Sequence, residues 1–106
     1  MRVMNDEKKC LLVVNPVAGR KSIQKNIPQI VRIFMDTGYL VTTTVTAAKG
    51  EAEALTREYA ASHDLVVAAG GDGTLNEVVA GLARAGITVP VGYIPCGSTN
   101  EFATAQ

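Results

Sequence analysis

The stretch Leu65-Val66-Val67-Ala68-Ala69-Gly70-Gly71-Asp72-Gly73-Thr74-Leu75-Asn76-Glu77-Val78-Val79 decides the fold. Leu65 to Ala69 are apolar without alternation, the pattern of a strand covered on both faces, which is typical of a parallel sheet. Gly70 to Gly73 then interrupt the run. From Thr74 to Ala85 the apolar residues Leu75, Val78, Val79, Leu82 and Ala83 recur at helical spacing and are read as facing inward, with Gly86 as the stop. A buried strand therefore runs through a glycine loop directly into a helix.

The same unit repeats outward from this stretch. Cys10 to Val14 is a second unbroken apolar run. Ile27, Ile30, Val31 and Phe34 follow at helical spacing as far as Thr37, where Gly38 ends the helix. Pro28 fits the first turn of that helix, where its missing N–H has no partner to lose, with an irregular turn from about Ser22. Tyr39 to Thr46 is rich in β-branched residues and reads as a strand. Glu51 to Ala61 reads as a helix with Ala52, Leu55, Tyr59 and Ala60 on one side. Val91 to Ile94 is a fourth strand, stopped by Pro95, and Ser98 or Thr99 is placed to cap a last helix that barely starts before Gln106. Four strands alternating with helices imply right-handed crossovers and an α/β fold with its sheet covered on both sides. The charged residues 1–9 are expected to be an N-terminal tail, and 10–106 one domain. The interrupted final helix leads to the expectation that the chain is part of something longer.

Composition excludes several classes of function. The 106 residues suit one small domain, since domains average roughly 150 residues. Hydrophobic residues make up 47% and charged ones 19%, which is incompatible with a disordered chain. Ten Lys and Arg balance ten Asp and Glu, so the cation excess that displaces counterions from a nucleic acid is missing and no nucleic-acid partner is expected. Aromatics are only 5%, without Trp, so the core is aliphatic; Phe34, Tyr39, Tyr59, Tyr93 and Phe102 read as packing residues and His63 as a surface loop residue. No apolar run approaches the roughly 20 residues of a membrane span, and the N-terminus has no leader-like apolar stretch. Cys10 and Cys96 have no metal-ligand spacing and read as reduced thiols of a cytoplasmic protein. No repeat, linker or low-complexity stretch is visible.

In open parallel sheets ligands gather at the carboxyl ends of the strands. The loops leaving those ends are Asn15-Pro16-Val17-Ala18-Gly19, Thr46 to Gly50, Gly70 to Thr74, and Pro95-Cys96-Gly97-Ser98-Thr99-Asn100, all small, polar or glycine-bearing. Glycines before a helix let backbone N–H groups approach an anion, and the helix dipole adds to the attraction. Gly70 to Thr74 therefore suits a nucleotide phosphate, although neither the GxGxxG fingerprint nor the GxxxxGK[ST] motif is present. A bare carboxylate at Asp72 would repel phosphate, so its role is to bind a hydroxyl, a water or a Mg²⁺ ion. Each loop also has an ordinary reading. Gly-Gly-Asp-Gly makes an Asx turn, Asn15-Pro16 ends a strand, Ser98-Thr99 caps a helix, and Arg20-Lys21 are solvated charge or a phosphate contact. Their convergence on one sheet edge favours the ligand reading.

Three segments taken in order, Asn15-Pro16-x-x-Gly19, Gly70-Gly71-Asp72-Gly73-Thr74-Leu75-Asn76-Glu77-Val78-Val79 and Ile94-Pro95-x-Gly97-Ser98-Thr99-Asn100-Glu101-Phe102-Ala103, resemble the diacylglycerol kinase catalytic domain family, bacterial lipid kinases above all. The resemblance runs from about Val13 to Ala103. It implies a Rossmann-like, three-layer α/β/α nucleotide-binding domain with a mostly parallel sheet, followed in the family by a second, β-rich domain that this chain lacks, with ATP in the cleft between them. It places ATP contacts on Asn15, Pro16, Val17, Ala18, Gly19, Thr46, Gly70, Gly71, Asp72, Gly73, Thr74, Leu75, Asn76 and Ser98, with Asp72 an indirect Mg²⁺ contact. The family usually has Thr at the Ser98 position and Asp at Glu101, and Ala80 stands where Asn is common. The catalytic base and several Mg²⁺ ligands are expected in the missing domain, so these residues alone should bind nucleotide weakly and not catalyse. The implied partner is a lipid substrate at the membrane surface, reached by a cytoplasmic, peripheral protein, and the sheet edge exposed in the isolated piece could support a homo-oligomer. The alternatives are a sphingoid-lipid or NAD kinase of the same superfamily, or a non-catalytic nucleotide-binding scaffold.

Overall fold

The computed structural model of the chain describes residues 7–16 and 22–96, without the side chains of residues 22–24. Its elements are β1 (Lys8–Val14), α1 (Ser22–Asp36), β2 (Tyr39–Val45), α2 (Glu51–Tyr59) with a 3₁₀ turn at Ala60–Ser62, β3 (Leu65–Gly70), α3 (Asp72–Ala85) and β4 (Val91–Pro95). The four strands form one sheet in the order β2-β1-β3-β4. Every pairing is parallel, with Val14 beside Val45 and Ala69, and Gly70 beside Pro95, at the carboxyl ends. The chain leaves β1 toward one edge and later returns to build the other, so the strand order reverses between β1 and β3.

The unbroken apolar runs are the central strands. Cys10 to Val14 are fully buried, and Val66 to Ala69 nearly so. On one face Leu11, Val13, Val66 and Ala68 pack with Ala52, Ala60, Val78 and Leu82 from the α2 and α3 side. On the other, Cys10, Leu12, Val14, Val67 and Ala69 pack under Ile27, Ile30, Val31 and Phe34 of α1. The result is the expected three-layer α/β/α arrangement. The outer strands alternate, leaving Leu40, Val45, Val91 and Tyr93 exposed. Both cysteines carry free thiols and are buried; burial pushes the Cys10 thiol up to about 11 and raises that of Cys96 in the same direction.

Several local expectations need correction. Pro28 lies in the interior of α1, not in its first turn, because the helix already begins at Ser22. Pro28 is exposed, so its ring meets solvent, and the lost N–H bond is outweighed by the apolar stripe that α1 lays on the sheet. Helix α3 begins at Asp72, two residues before Thr74, so Asp72 and Gly73 of the glycine loop already belong to the first helical turn. Its buried face is Thr74, Val78, Gly81 and Leu82, whereas Val79 is 50% exposed and Ala83 is also exposed. The rotation follows from α3 packing on α2 as well as on the sheet. A Cβ on Gly81 would lie 2.7 Å from the Glu53 carbonyl oxygen and 2.9 Å from Thr56 Cβ. On α2, Thr56 is buried and donates its hydroxyl to the Ala52 carbonyl at 2.7 Å, while Tyr59 is 43% exposed rather than packed inside. His63 is half-buried and bridges the 3₁₀ turn to β2, with Nδ1 by the Tyr59 carbonyl at 2.8 Å and Nε2 by Thr42 Oγ1 at 3.1 Å. Gly86 ends α3 at φ 68°, a left-handed cap with its N–H on the Ala83 and Leu82 carbonyls.

Candidate functional site

The carboxyl ends of the strands are tied together one residue beyond the ladders. The Asn15 N–H donates to the Ala69 carbonyl at 2.9 Å, Thr46 N–H to Val14 at 2.8 Å and Cys96 N–H to Gly70 at 2.8 Å. These bonds fix the starts of three loops with respect to one another. At the reversal point they open a cleft of about 380 Å³ lined by Asn15, Thr46, Ala47, Ala48, Lys49, Ala52, Gly71, Gly73, Thr74 and Glu77.

One wall of the cleft is the start of α3. Gly71 is its N-cap, in extended conformation (φ −91°, ψ −173°) and with no side chain to cap the helix. A Cβ on Gly70 would fall 2.7 Å from Thr74 Oγ1 and 3.1 Å from Asn15 Cβ, whereas one on Gly73 would meet nothing within 4 Å. Gly70 thus permits close packing at the floor, and Gly73 leaves the face of the first turn open. Thr74 is buried, and Asn15 Nδ2 approaches its Oγ1 at 3.4 Å, linking the tip of β1 to α3. Thr46 is buried with its hydroxyl donated to the Val14 carbonyl at 3.3 Å.

The opposite wall is the start of α2, and it is closed by carboxylates. Gly50 caps α2 at φ 91°, a conformation costly for residues with a Cβ. Glu77, from the second turn of α3, accepts the Gly50 N–H on Oε2 at 3.0 Å and the Ala52 N–H on Oε1 at 3.1 Å. Glu51 Oε1 accepts the Ala47 N–H at 2.7 Å. Lys49 brings a cation to the rim of the cleft.

The sequence matches the model of the diacylglycerol kinase catalytic domain over residues 9–106. The chain belongs to the diacylglycerol kinase catalytic domain family. Its relatives include a diacylglycerol kinase of Bacillus subtilis (strain 168), 42% identical over 103 residues, covering 92% of this chain and 33% of the relative. Another, from Staphylococcus haemolyticus (strain JCSC1435), is 36% identical over 104 residues, covering 92% of this chain and 30% of that one. The fold is similar to a crystal structure of a diacylglycerol kinase from Bacillus anthracis str. Sterne, with a TM-score of 0.76, 34% identity, and coverage of 92% and 36% of the two chains. The chain therefore spans about a third of the length of the curated relatives it matches.

Within this diacylglycerol kinase family domain, the expected contacts divide into groups. Asn15, Thr46, Gly71, Gly73 and Thr74 line the cleft, and Gly70 lies buried beneath it. Leu75 does not reach it: its side chain packs against the core cluster of Val78 and Leu82, since each helical step turns a side chain by about 100°. Asp72 and Asn76 are exposed and are not among the cleft residues. The Asp72 carboxylate is drawn toward the edge strand, where Oδ1 accepts the Tyr93 hydroxyl at 3.0 Å. Pro16 is half-buried at the tip of β1; Val17, Ala18, Gly19 and Ser98 lie outside the described residues. Sequence reasoning missed Ala52 and Glu77. A signal for Glu77 was present, because Gly73, Thr74 and Glu77 share one face of α3 at spacings of three and four.

Proposed function

We propose that this chain is the ATP-binding domain of a lipid kinase that transfers the γ-phosphoryl group of ATP to a hydroxyl of diacylglycerol or a similar lipid. The observation that carries the reading is the start of α3 at the strand-order reversal, where Gly71 caps the helix without a side chain and an open Gly73 faces a cleft also lined by Asn15 and Thr46. Backbone N–H groups at a helix start and the positive end of its dipole attract a phosphate chain. The names of the two relatives described above, both diacylglycerol kinase, support the lipid acceptor.

In this reading the amides around Gly71 and Gly73 hold phosphates, while Asn15 and Ser98 fix the nucleotide by hydrogen bonds. Gly70 keeps the floor close enough for contact. Mg²⁺ bound to nucleotide oxygens would offset charge developing on the transferred group. In this reading Asp72, an exposed carboxylate, would meet the ion through water. A second, β-rich domain, matching the extra length of the relatives, would close the cleft and bring the catalytic base, since phosphoryl transfer depends on positioning in a water-excluded site. The isolated 106 residues then bind nucleotide weakly, do not catalyse, and self-associate through the exposed edge strands β2 and β4. Among the described residues no helix is long and apolar enough to cross a membrane, and the net charge is zero, so a peripheral membrane-docking face would lie on the second domain.

The test is the full-length protein with labelled Mg-ATP and lipid micelles, its products separated by thin-layer chromatography beside parallel reactions on a sphingoid base and on NAD. Labelled phosphatidate is the expected product. Label on the sphingoid base or NAD alone would move the acceptor, and no transfer to any of them would leave the scaffold reading. Asp72→Ala should lower the rate at least tenfold; full retention of activity would remove Asp72 from the site.

A further inference from the structure

Two helices begin at this cleft, and a single side chain separates their roles. Glu77 lines the cleft from α3, yet both its oxygens are engaged by α2, one by the Gly50 N–H and the other by the Ala52 N–H. The bonds join residues 27 and 25 positions apart and span the space between α3 and the loop that follows Thr46. We propose that Glu77 is a positioning residue for the nucleotide: its carboxylate fixes the width of the cleft by holding the Thr46–Gly50 loop against α3. The same contact fills the anion-attracting start of α2, so that phosphates go to the start of α3 alone.

The chemistry favours a carboxylate in this place. Two amide donors converge on one side chain, one at each oxygen, and a carboxylate presents an acceptor at both positions. Gln offers one acceptor and turns its NH₂ toward the second donor. Asp keeps the charge but is one methylene shorter. Between the helices, α2 and α3 are also joined at a point away from the cleft, where Arg84 Nε meets Glu53 Oε2 at 2.8 Å. That pair serves as a control for helix packing without cleft geometry.

The inference rests on the nucleotide reading above, and the experiment separates the two. In the full-length protein, Glu77→Gln, Glu77→Asp and Glu53→Ala are compared with the wild type for thermal midpoint, kcat, and KM for Mg-ATP and for the lipid. Glu77→Gln is expected to raise the Mg-ATP KM about tenfold, with kcat and lipid KM within about twofold, the signature of lost ground-state binding. Glu77→Asp should do the same, and Glu53→Ala should lower the midpoint while leaving both KM values in place. In hydrogen exchange, the amides of Gly50 and Ala52 should lose protection in both Glu77 variants, a readout that does not need turnover. An unchanged Mg-ATP KM in Glu77→Gln, or an equal rise in Glu53→Ala, would overturn the positioning role. A wild-type protein that Mg-ATP does not saturate would overturn the nucleotide reading, and this inference with it.

Discussion

The starts of α2 and α3 lie on the same cleft and have similar sequences, Gly50-Glu51-Ala52 against Gly71-Asp72-Gly73, yet they end up chemically opposite. Both have glycine caps without a side-chain bond and both have an acidic first turn. At α2 the carboxylates turn inward, Glu51 onto Ala47 and Glu77 onto Gly50 and Ala52, so the helix end is already occupied. At α3 the acid turns outward, Asp72 onto Tyr93, and Gly73 leaves the face of the first turn clear of side-chain atoms. A helix end satisfied from within serves the fold, whereas one left open for a ligand gives up local stability for function.

The largest expected effect comes from the floor on which the open end stands. Gly70→Ala would press a methyl against Thr74 Oγ1 at 2.7 Å and Asn15 Cβ at 3.1 Å, where Thr74 is buried and cannot swing away. Chemical denaturation should show a loss of about 1–3 kcal/mol, and nucleotide titration a loss of affinity beyond tenfold. Wild-type affinity with the fold intact would mean that the floor can relax and that the close approach is not required.

A second variant makes the two helix starts alike. Gly73→Ala gives α3 the alanine that α2 has at Ala52. Since nothing lies within 4 Å of that Cβ, the fold should gain about 0.5–1 kcal/mol from removing a helical glycine. The new methyl projects where a phosphate would lie, so affinity should fall about tenfold. Stability and affinity thus move in opposite directions. If both rose together in melting and titration, the open face of α3 would not be the phosphate site.

The strands were legible because Cys10–Val14 and Leu65–Ala69 are apolar on both faces, a local pattern that survives any tertiary context. The order of the cleft loops followed from parallel topology. The facing of α3 was less accessible: apolar spacing alone turns Val79 inward, while the structure buries Thr74 against Gly70 and Asn15 and Gly81 against Glu53 and Thr56 of α2. What Glu77 binds was hidden for a related reason, although its place on the Gly73 and Thr74 face of α3 was legible. Its two partners are 25 and 27 residues away, and only the packing of α2 beside α3 brings them within reach. Leu75, which the family resemblance places among the ligand contacts, packs its side chain on the core cluster, because the helix turns it away from the cleft.

The smallest effect is expected at Tyr93, where the difference between the two helix starts is held by one exposed bond. The Tyr93 hydroxyl donates to Asp72 Oδ1 at 3.0 Å and keeps that carboxylate on the β4 side of α3. Glu51 shows the alternative, an acid in the first helical turn that folds back onto a backbone N–H of the preceding loop. Tyr93→Phe removes the donor, so Asp72 gains the freedom to swing toward the amides of its own helix start and compete with phosphate for them. Exposed bonds of this kind contribute little to folding, and the thermal midpoint should shift by the equivalent of less than about 0.5 kcal/mol. Nucleotide affinity should drop about threefold, a change of ~0.7 kcal/mol. In an Asp72→Ala background the same Tyr93→Phe change should do nothing, because the competing carboxylate is gone. A threefold loss that persisted without Asp72 would assign Tyr93 a direct contact with the ligand, and the two helix starts would then differ by their glycines alone.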